Sequence, residues 1–317
     1  MEFILLGFFL ILLLLLYFKV ADKYNIIDKP NHRSAHTEIT LRGGGIIFWL
    51  TSLIYGIVYF PNQYLFLIGI TLISLVSFWD DIQSMPNKVR LLVHFTSISI
   101  AFYSLNLFHL SPVWVVILAY VFFIGTINAY NFMDGINGIT GVYSLVVLVS
   151  LWFVNDYVVH FVEANFILYP IIASLVFLFF NFRKKAKCFA GDVGSIGMAY
   201  WIVYLLLLII VKTNNLVWIL FLLVYGVDTV CTIIHRLYLR ENIFEAHRHH
   251  FYQILCNEYK IQHRYVALGY GILQLVITYG VIQCFKINNY YIILVLIIPV
   301  LLIYSLKFYL IKKIKNV

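Results

Sequence analysis

Two adjacent carboxylates end one of the most apolar stretches of the sequence. Asp80 and Asp81, in "SFWDDIQ", repel each other unless a cation meets them. Two further acids stand beside glycines at the start of apolar runs, Asp134 in "MDGINGITG" and Asp192 in "GDVGS". Glycine lets a ligand approach the backbone closely, and the free amides of a helix N-terminus attract anions. Carboxylates in this setting suit a hydrated Mg²⁺ that bridges phosphates, because Mg²⁺ takes only one or two protein carboxylates.

The histidines of "AHRHHFYQ" form a third group of candidate residues. His247, His249 and His250 permit a transition-metal cluster, contact with phosphate together with Arg248, or an ordinary polar loop. Neighbouring His249 and His250 do not easily face one ion and no cysteine helps, so phosphate contact is favoured over a metal. The acids have a plainer interpretation too, because an acid at a helix end can simply mark the membrane interface, and glycines can serve helix packing.

Composition indicates which elements must position these side chains. The chain is 63% hydrophobic and only 11% charged, and its mean hydropathy of +0.93 lies far outside the soluble range. Apolar runs long enough, or nearly so, to cross a hydrocarbon core as helices span 3–20, 45–60, 63–79, 91–108, 112–127, 138–154, 164–182, 196–212, 214–233, 265–284 and 289–310. We therefore predict an all-α, polytopic membrane helix bundle of about 11 transmembrane helices. Because no internal repeat or linker interrupts it, we expect a single domain over residues 1–317.

Charge predicts the orientation of this bundle. With the N-terminus outside, the loops after odd-numbered helices face the cytoplasm. Together with the adjacent helix ends, they hold all but Lys212 and Lys286 of the 22 lysines and arginines. The net charge of +8 then follows from topology and contact with anionic membrane lipid. No nucleic-acid partner is indicated, because the basic residues are dispersed among loops. The four cysteines contain no CxxC pair, which favours neither disulfides nor zinc.

The candidate residues gather in five of the loops predicted to be cytoplasmic. These loops read "DKPNHRSAHTEITLRGGGI" (28–46), "DDIQSMPNKVR" (80–90), "NAYNFMDGINGITG" (128–141), "NFRKKAKCFAGDVGSIG" (181–197) and "DTVCTIIHRLYLRENIFEAHRHHFYQ" (228–253). Together they predict one site with oxygen ligands for a metal and cations for phosphates.

These motifs, in this order, resemble those of the polyprenyl-phosphate N-acetylhexosamine-1-phosphate transferases, the MraY/WecA-like superfamily of glycosyltransferase family 4. The resemblance covers residues 28–253, whereas 265–310 contributes only hydropathy. It implies a multi-pass enzyme of the bacterial cytoplasmic membrane that requires Mg²⁺, with Mn²⁺ as an alternative. Its reaction moves N-acetylhexosamine 1-phosphate from a UDP-sugar to undecaprenyl phosphate and releases UMP. The product would initiate a polysaccharide of the O-antigen, capsule or teichoic acid type, and a homodimer is also compatible.

The resemblance further implies a role for each matching acid. Asp80 and Asp81 match paired acids that engage or deprotonate the phosphate of undecaprenyl phosphate, the lipid carrier, and support the metal. Lys88 matches their basic partner. Asp192 matches the Mg²⁺ ligand, and Asp134 matches an acid that lines the same cleft. Which of the two adjacent acids acts as the base stays open.

The substrate-binding residues are assigned in the same way. Phe189 matches an aromatic that stacks on uracil, Asn131 lines the cleft beside the acids, and Asn181 opens the stretch that leads to Phe189. The His-rich loop expected near the nucleotide-sugar is matched by His247, Arg248, His249 and His250.

The sequence also departs from the family pattern. Asn137 stands where many relatives have a second aspartate, which puts any role for a carboxylate there in doubt, and residues 183–187 are basic where prolines are usual. The His loop is not of the "HHHFE" type, so we favour a polysaccharide-initiating enzyme over the phospho-MurNAc-pentapeptide transferase of peptidoglycan synthesis. A multi-pass transporter is a different class of alternative, but it should place acids near the membrane midplane. We expect direct attack by the carrier phosphate, with a covalent aspartyl intermediate as the competing route.

Overall fold

The structure is a computed structural model that describes residues 1–30, 38–60, 62–243, 245, 247–287 and 291–315. Helix, the 3-10 segment included, accounts for 78% of the described residues, which confirms the all-α class. The α-helices within the described residues are α1 (Glu2–Lys23), α2 (Ile46–Val58), α3 (Tyr64–Ile82), α4 (Asn87–Ser104), α5 (Leu107–Leu110), α6 (Val113–Met133), α7 (Ile139–Tyr157), α8 (Asn165–Asn181), α9 (Gly191–Thr213), α10 (Leu223–Tyr238), α11 (Phe251–Asn257), α12 (His263–Ile287) and α13 (Tyr291–Lys315). A 3-10 helix (Leu216–Leu222) runs directly into α10.

Many of these helices are long and apolar enough to cross a membrane. Among the described residues eight segments meet both conditions: Glu2–Lys23, Tyr64–Ile82, Val113–Met133, Ile139–Tyr157, Gly191–Thr213, Leu216–Tyr238, His263–Ile287 and Tyr291–Lys313. α2 and α8 are apolar but shorter, and α4 begins with charged residues. Every predicted apolar run therefore coincides with helix, as a multi-pass membrane protein requires. The total of eleven spans, the outside N-terminus and the cytoplasmic loops stay predictions.

α9 forms the centre of the bundle. In an apolar stretch of 18 residues within α9, 89% of the residues are buried, and the helix packs against α3, α6, α2 and α7. The closest approach is between Gly45, which precedes α2, and Gly194 in the first turn of α9. A Cβ added to Gly45 would fall 2.2 Å from the Cα of Gly194. Only paired glycines let two backbones meet so closely, and this contact brings the loop before α2 onto the N-terminus of α9.

The outer helices leave large apolar side chains uncovered. In the corresponding apolar stretches of α1 and α6 only 22% of the residues are buried, and in that of α13 only 17% are. Leu12, Ile117 and Val295 are examples, each more than half exposed. A soluble monomer rarely exposes such continuous apolar surface, whereas the hydrocarbon core of a bilayer covers it without cost.

The segment Leu216–Tyr238 changes from 3-10 to α-helix inside the bundle. Gln274 of α12 donates from Nε2 to the carbonyl of Leu220 at 3.1 Å, and its Oε1 accepts the backbone N–H of Val224 at 3.1 Å. Tyr143 donates to the same Oε1 at 2.7 Å. Backbone groups freed by the change are thus satisfied by side chains, as the interior of a membrane requires.

Short main-chain pairings join the first loop to the fourth. The strands β1 (Ile27–Asp28) and β2 (Thr40–Leu41) pair antiparallel, and Leu41 forms a parallel bridge with Cys188. Gly44 then donates its N–H to the carbonyl of Phe189 at 2.8 Å. Residues 31–37 of the predicted first loop, Arg33 among them, lie outside the described residues. These contacts hold the residues just before α2 against those just before α9.

Candidate active site

Asp81 caps the central helix. Its Oδ1 accepts the N–H of Asp192 at 2.9 Å and its Oδ2 accepts the N–H of Val193 at 3.0 Å. Gly191 makes this possible, because its φ of +70° turns the chain into α9 and a Cβ there would meet the Asp81 carboxylate at 2.5 Å. Arg42 contacts the same carboxylate, with Nε 2.7 Å from Oδ1, and the Asp81 side chain is fully buried. The charge of Asp81 is therefore met by helix amides and a guanidinium.

Asp192 lies where three loops meet. Its Oδ1 accepts hydrogen bonds from Nδ2 of Asn131 at 2.9 Å and from Nη2 of Arg42 at 3.3 Å. Its Oδ2 has a longer contact, 3.6 Å, with Nη2 of Arg90. The side chain is 14% exposed, and its Oδ2 is paired less closely than its Oδ1. Asp192 and Asn131, which were predicted to share a cleft, are in direct contact.

Asp80 points away from the core, unlike its neighbour. Its Oδ2 pairs with Nη1 of Arg90 at 3.0 Å, its Oδ1 accepts the N–H of Met85 at 2.6 Å, and its side chain is 11% exposed. Lys88, predicted as the basic partner, is exposed, and no hydrogen bond or ion pair links it to any residue of the described ranges. A catalytic role for Lys88 stays a prediction, and in the structure the acids are contacted by the guanidinium groups of Arg42 and Arg90. Their forked shape suits carboxylates and phosphates better than an ammonium does.

Asp134 follows the last turn of α6 and faces the same group of charges. Thr140 donates to its Oδ1 at 2.6 Å. The pKa of the Asp134 carboxyl is raised to about 7, mainly by burial and in part by the negative charge of Asp192, which together outweigh the lowering effect of the hydrogen bond from Thr140. Near neutral pH this acid can therefore exchange a proton, unlike a carboxyl with an ordinary pKa.

Asn181 ties two loops together. Its Oδ1 accepts the N–H of Gly138 at 2.6 Å, and its Nδ2 donates to the carbonyl of Cys188 at 2.8 Å. Both polar ends of this buried side chain are thus used by backbone groups. Asn181, predicted as a substrate-binding residue, holds the "MDGING" loop against the loop before α9, so any effect on substrate passes through these loops.

Asn137 explains one departure from the family pattern. Its Nδ2 donates to the carbonyls of Arg183 at 2.9 Å and Lys184 at 3.3 Å. An aspartate could not donate to either carbonyl. The amide therefore fixes the basic run after α8, which replaces the usual prolines.

A cavity of about 490 Å³ opens between these loops. Phe189, which is half-buried, forms one part of its wall, and Lys185 and Glu38 form an exposed ion pair at its margin. The other lining residues are Ile39, Thr40, Asn137, Arg183, Lys184, Ala186, Gln262, His263 and Arg264. An aromatic side chain surrounded by arginine and lysine suits a planar ligand that carries negative charge.

The His loop lies beside the "MDGING" loop. Tyr252 donates to the carbonyl of Phe132 at 2.9 Å, and the rings of His247 and His250 lie 4.9 Å apart. His249 contacts Glu241 at 3.1 Å. The pKa of His247 is lowered to about 3, mainly by burial and in part by nearby positive charge, so this ring is neutral at physiological pH.

The carboxylate oxygens of the acid cluster would fit a Mg²⁺ ion to which the protein supplies only some of the ligands. Among the described residues no three His, Cys, Asp or Glu side chains are placed to hold a metal, which also gives no support to a transition-metal site in the His loop. The less closely paired Oδ2 of Asp192 can supply one ligand, and Asp80 contacts the same guanidinium, that of Arg90. Mg²⁺ accepts such a site when substrate phosphates and water complete its octahedron.

Sequence reasoning missed the importance of Arg42 and Asp228. Arg42 was counted only as a topological charge, although it directly precedes three glycines in "LRGGG", where small residues let the chain approach a neighbour. Asp228 was noted only as an acid near a loop, yet it is 2% exposed and accepts a hydrogen bond from the backbone of Phe251 at 3.1 Å. A single acid within an apolar run was the available signal.

Comparison with known proteins agrees with this geometry. Residues 63–210 match the family model described as glycosyl transferase family 4. A Bacillus subtilis (strain 168) protein, probable undecaprenyl-phosphate N-acetylglucosaminyl 1-phosphate transferase, is 27% identical over 272 residues, which are 79% of this chain and 72% of the relative. An Escherichia coli (strain K12) protein, undecaprenyl-phosphate alpha-N-acetylglucosaminyl 1-phosphate transferase, is 28% identical over 228 residues, 64% of this chain and 61% of the relative.

A relative with a different named activity is similar to the same degree. The phospho-N-acetylmuramoyl-pentapeptide-transferase of Thermotoga neapolitana is 27% identical over 238 residues, 69% of this chain and 78% of the relative. The matched region 63–210 contains Asp80, Asp81, Asp134 and Asp192, which are the acids on which the motif resemblance was based. The comparisons therefore support a sugar-phosphate transferase of the MraY/WecA-like superfamily, because residues 63–210, just under half of the chain, match glycosyl transferase family 4.

Proposed function

We propose that the protein transfers N-acetylhexosamine 1-phosphate from a UDP-sugar to undecaprenyl phosphate, releasing UMP and initiating a cell-envelope polysaccharide. One observation carries the proposal: Asp80 and Asp192 share the guanidinium of Arg90, and Arg42 links Asp192 to the buried Asp81. Phosphoryl transfer depends mainly on positioning and on neutralising charge, which such a cluster supplies. The named activities of the B. subtilis and E. coli relatives point to the same reaction.

The nucleotide would occupy the basic cavity beside Phe189. Uracil is planar and can stack on the phenyl ring, while the diphosphate needs cations. Arg183, Lys184 and Arg264 line the same cavity. The backbone of Phe189 is also joined to Leu41 and Gly44, next to Arg42, so the cavity adjoins the acid cluster.

The prenyl chain of the carrier would lie in an apolar groove between α6 and α10. This groove has a volume of about 530 Å³, and Gly125 and Gly226 leave it open because neither would meet another atom with an added Cβ. Ala129 and Tyr130 line one end, within two residues of Asn131, which contacts Asp192. A carrier held there would have its phosphate near Arg90 and Arg42. For this arrangement the site must lie at the cytoplasmic face of a bacterial inner membrane, because the UDP-sugar is available only there.

Asp192, aided by Asp80, would hold the Mg²⁺ ion, or Mn²⁺ in its place. When bound, the ion would neutralise the diphosphate of the donor. The chain's own residues do the rest: Arg42 and Arg90 orient anions, and Asn131 fixes the Asp192 carboxylate.

The two adjacent acids would have separate tasks. Both oxygens of Asp81 accept helix amides, so its task is to hold α9 and Asp192 in place. Asp80, which is partly exposed and held by Arg90, is the acid that can meet the carrier phosphate and take its proton. A carrier oxygen then attacks the β-phosphorus of the UDP-sugar, the bond from that phosphorus to the bridging oxygen breaks, and the bridging oxygen leaves with UMP. This route requires no covalent bond to the protein.

Transfer of phospho-MurNAc-pentapeptide is the second candidate, because the Thermotoga neapolitana relative bears that name. The two reactions differ only in the donor's sugar. The decisive assay gives the purified chain undecaprenyl phosphate, Mg²⁺ and, separately, UDP-GlcNAc, UDP-FucNAc, UDP-QuiNAc and UDP-MurNAc-pentapeptide, and measures UMP release.

We expect UMP release from an N-acetylhexosamine donor, with little from the pentapeptide donor. EDTA and Asp192→Asn should each abolish it. Asp156→Asn is the matched control, because Asp156 is an exposed acid outside the motif loops. Release from no donor, or release that survives EDTA, would contradict the proposal. UMP exchange without the lipid carrier would instead indicate a covalent intermediate.

A further inference from the structure

A buried chain of hydrogen bonds runs from the last helix to the His loop. Nζ of Lys307 in α13 donates to the hydroxyl of Tyr304 at 2.6 Å and to Oγ1 of Thr232 at 3.2 Å. The Tyr304 and Thr232 hydroxyls lie 2.9 Å apart, and Thr232 donates to Oδ1 of Asp228 at 3.3 Å. Oδ1 of Asp228 also lies 3.2 Å from Nδ1 of His250. This hydrogen-bond network therefore links an ammonium, two hydroxyls, a carboxylate and an imidazole.

All five side chains of this hydrogen-bond network are shielded from water. Lys307 and Thr232 are fully buried, Asp228 and His250 are 2% exposed, and Tyr304 is 5% exposed. A buried ammonium or carboxylate is costly unless a partner of opposite charge compensates it. Lys307 and Asp228 compensate each other through the hydroxyls between them. Neither belongs to the acid cluster described above, so this cost needs a separate explanation.

The partners of Asp228 determine which nitrogen of His250 carries a proton. Its Oδ1 accepts the backbone N–H of Phe251 at 3.1 Å, and its Oδ2 accepts the hydroxyl of Tyr270 at 2.6 Å. A carboxylate surrounded by donors can meet His250 only as an acceptor, so Nδ1 must be the protonated nitrogen. Nε2 of His250 is then the nitrogen with the free lone pair.

That lone pair is buried and lies close to the site. Nε2 of His250 has no hydrogen-bond partner among the residues that the structure describes. The ring stacks on Tyr252, with centroids 5.7 Å apart, and Tyr252 donates to the carbonyl of Phe132, two residues before Asp134. A buried acceptor without a partner is costly, and a ligand that brings a donor removes this cost.

We propose that Asp228 and Lys307 are positioning residues that fix His250 in its Nδ1–H tautomer, so that Nε2 accepts a hydrogen bond from a hydroxyl or acetamido N–H of the donor sugar. The substrate part of this inference rests on the proposed function, whereas the tautomer part does not. The diphosphate oxygens of the UDP-sugar, which carry no proton and only accept, would be the wrong partner for Nε2. The last helix thereby becomes part of the substrate-binding machinery.

The tautomer is tested by ¹⁵N NMR of histidine-labelled full-length protein in lipid nanodiscs. The His250 signals are assigned by their absence in His250→Gln. We expect a protonated Nδ1 and an unprotonated Nε2 in the wild type. Lys307→Met and Asp228→Asn should each shift these signals and mix the tautomers. Lys307→Arg should restore the wild-type pattern, and Lys312→Met, which removes an exposed lysine of the same helix, should leave it unchanged. A wild-type His250 protonated at Nε2, or spectra unaffected by Lys307→Met, would overturn the inference.

The contact with the sugar is tested by steady-state kinetics of UMP release. Lys307→Met should raise KM for the UDP-sugar about tenfold and leave KM for undecaprenyl phosphate unchanged, because only one hydrogen bond to the donor is lost. His250→Asn, which keeps an N–H for Asp228 but removes Nε2, should have the same effect. Equal changes in both KM values would show a structural role and refute the contact. If the wild type releases no UMP, the proposed function fails, and the NMR result alone decides the positioning role.

Discussion

Asp81→Asn and Asp80→Asn remove neighbouring charges, yet the first should act on stability and the second on catalysis. Asp81 accepts two backbone N–H groups of α9, and an asparagine can accept with only one of its two side-chain atoms. The amide nitrogen would then face an N–H donor. One hydrogen bond to a charged group is lost, about 1.5–3 kcal/mol, and Arg42 loses its carboxylate at 2.7 Å. We expect a total cost of about 3–5 kcal/mol, because the Asp81 side chain is fully buried.

Asp80→Asn leaves most of its local structure intact. The amide oxygen can still accept the N–H of Met85, and the lost ion pair with Arg90 is partly exposed on both sides, which limits its contribution to about 1 kcal/mol or less. As the base, however, Asp80 should be needed for turnover, and its loss should reduce UMP release on the order of 10²–10⁴-fold.

Thermal unfolding and UMP release, measured on the same preparations, separate the two effects. Asp81→Asn should lower Tm clearly, and Asp80→Asn should lower kcat with a Tm close to that of the wild type. Asp156→Asn serves as the control for loss of one acid. If Asp80→Asn proves as destabilising as Asp81→Asn, or if Asp80→Asn turns over normally while a folded Asp81→Asn does not, the division of tasks is wrong.

Two further substitutions test the loops around the acids. Asn137→Asp should raise KM for the UDP-sugar about tenfold, because a carboxylate would repel the carbonyls of Arg183 and Lys184; an unchanged KM in a folded variant would contradict this. Asp134→Asn should flatten the pH dependence of stability. The raised pKa of about 7, against an ordinary 3.8, means that the folded state holds its proton more tightly than the unfolded state, so wild-type stability falls as the pH rises from about 4 to about 7, by up to ~4 kcal/mol. Tm should therefore fall between pH 5 and pH 8 in the wild type and fall clearly less in the variant, and equal falls would refute the argument.

The sequence predicted the helices and the gathering of the acids well, because both follow from local patterns. Apolar runs of sufficient length must become helices in a membrane, so each predicted run coincides with helix. The contact between Asn131 and Asp192 could be expected because their motifs match one family in order. The short contact between Gly45 and Gly194 shows how the glycines of two distant motifs bring these loops together.

The pairing of individual charges could not be predicted in this way. Lys88 and Arg90 lie two residues apart in the first turn of α4, and only their directions in space decide that Arg90 contacts Asp80. Arg42 is 150 residues away from Asp192 in the chain, so no local pattern joins them. Asn181 likewise matched a motif position, but only the structure reveals that backbone groups occupy both of its polar ends.

The last two helices contained a signal that hydropathy concealed. Gln274 and Lys307 are polar residues within apolar runs, and a polar group inside a membrane is retained only where it meets a partner. Gln274 satisfies the backbone where the 3-10 helix passes into α10, and Lys307 reaches Thr232 and, through it, Asp228, near the middle of α10. α12 and α13 therefore hold α10 at its start and near its middle. Because the His loop follows α10, a change in either helix should reach the site through His250 even though neither helix carries a family motif.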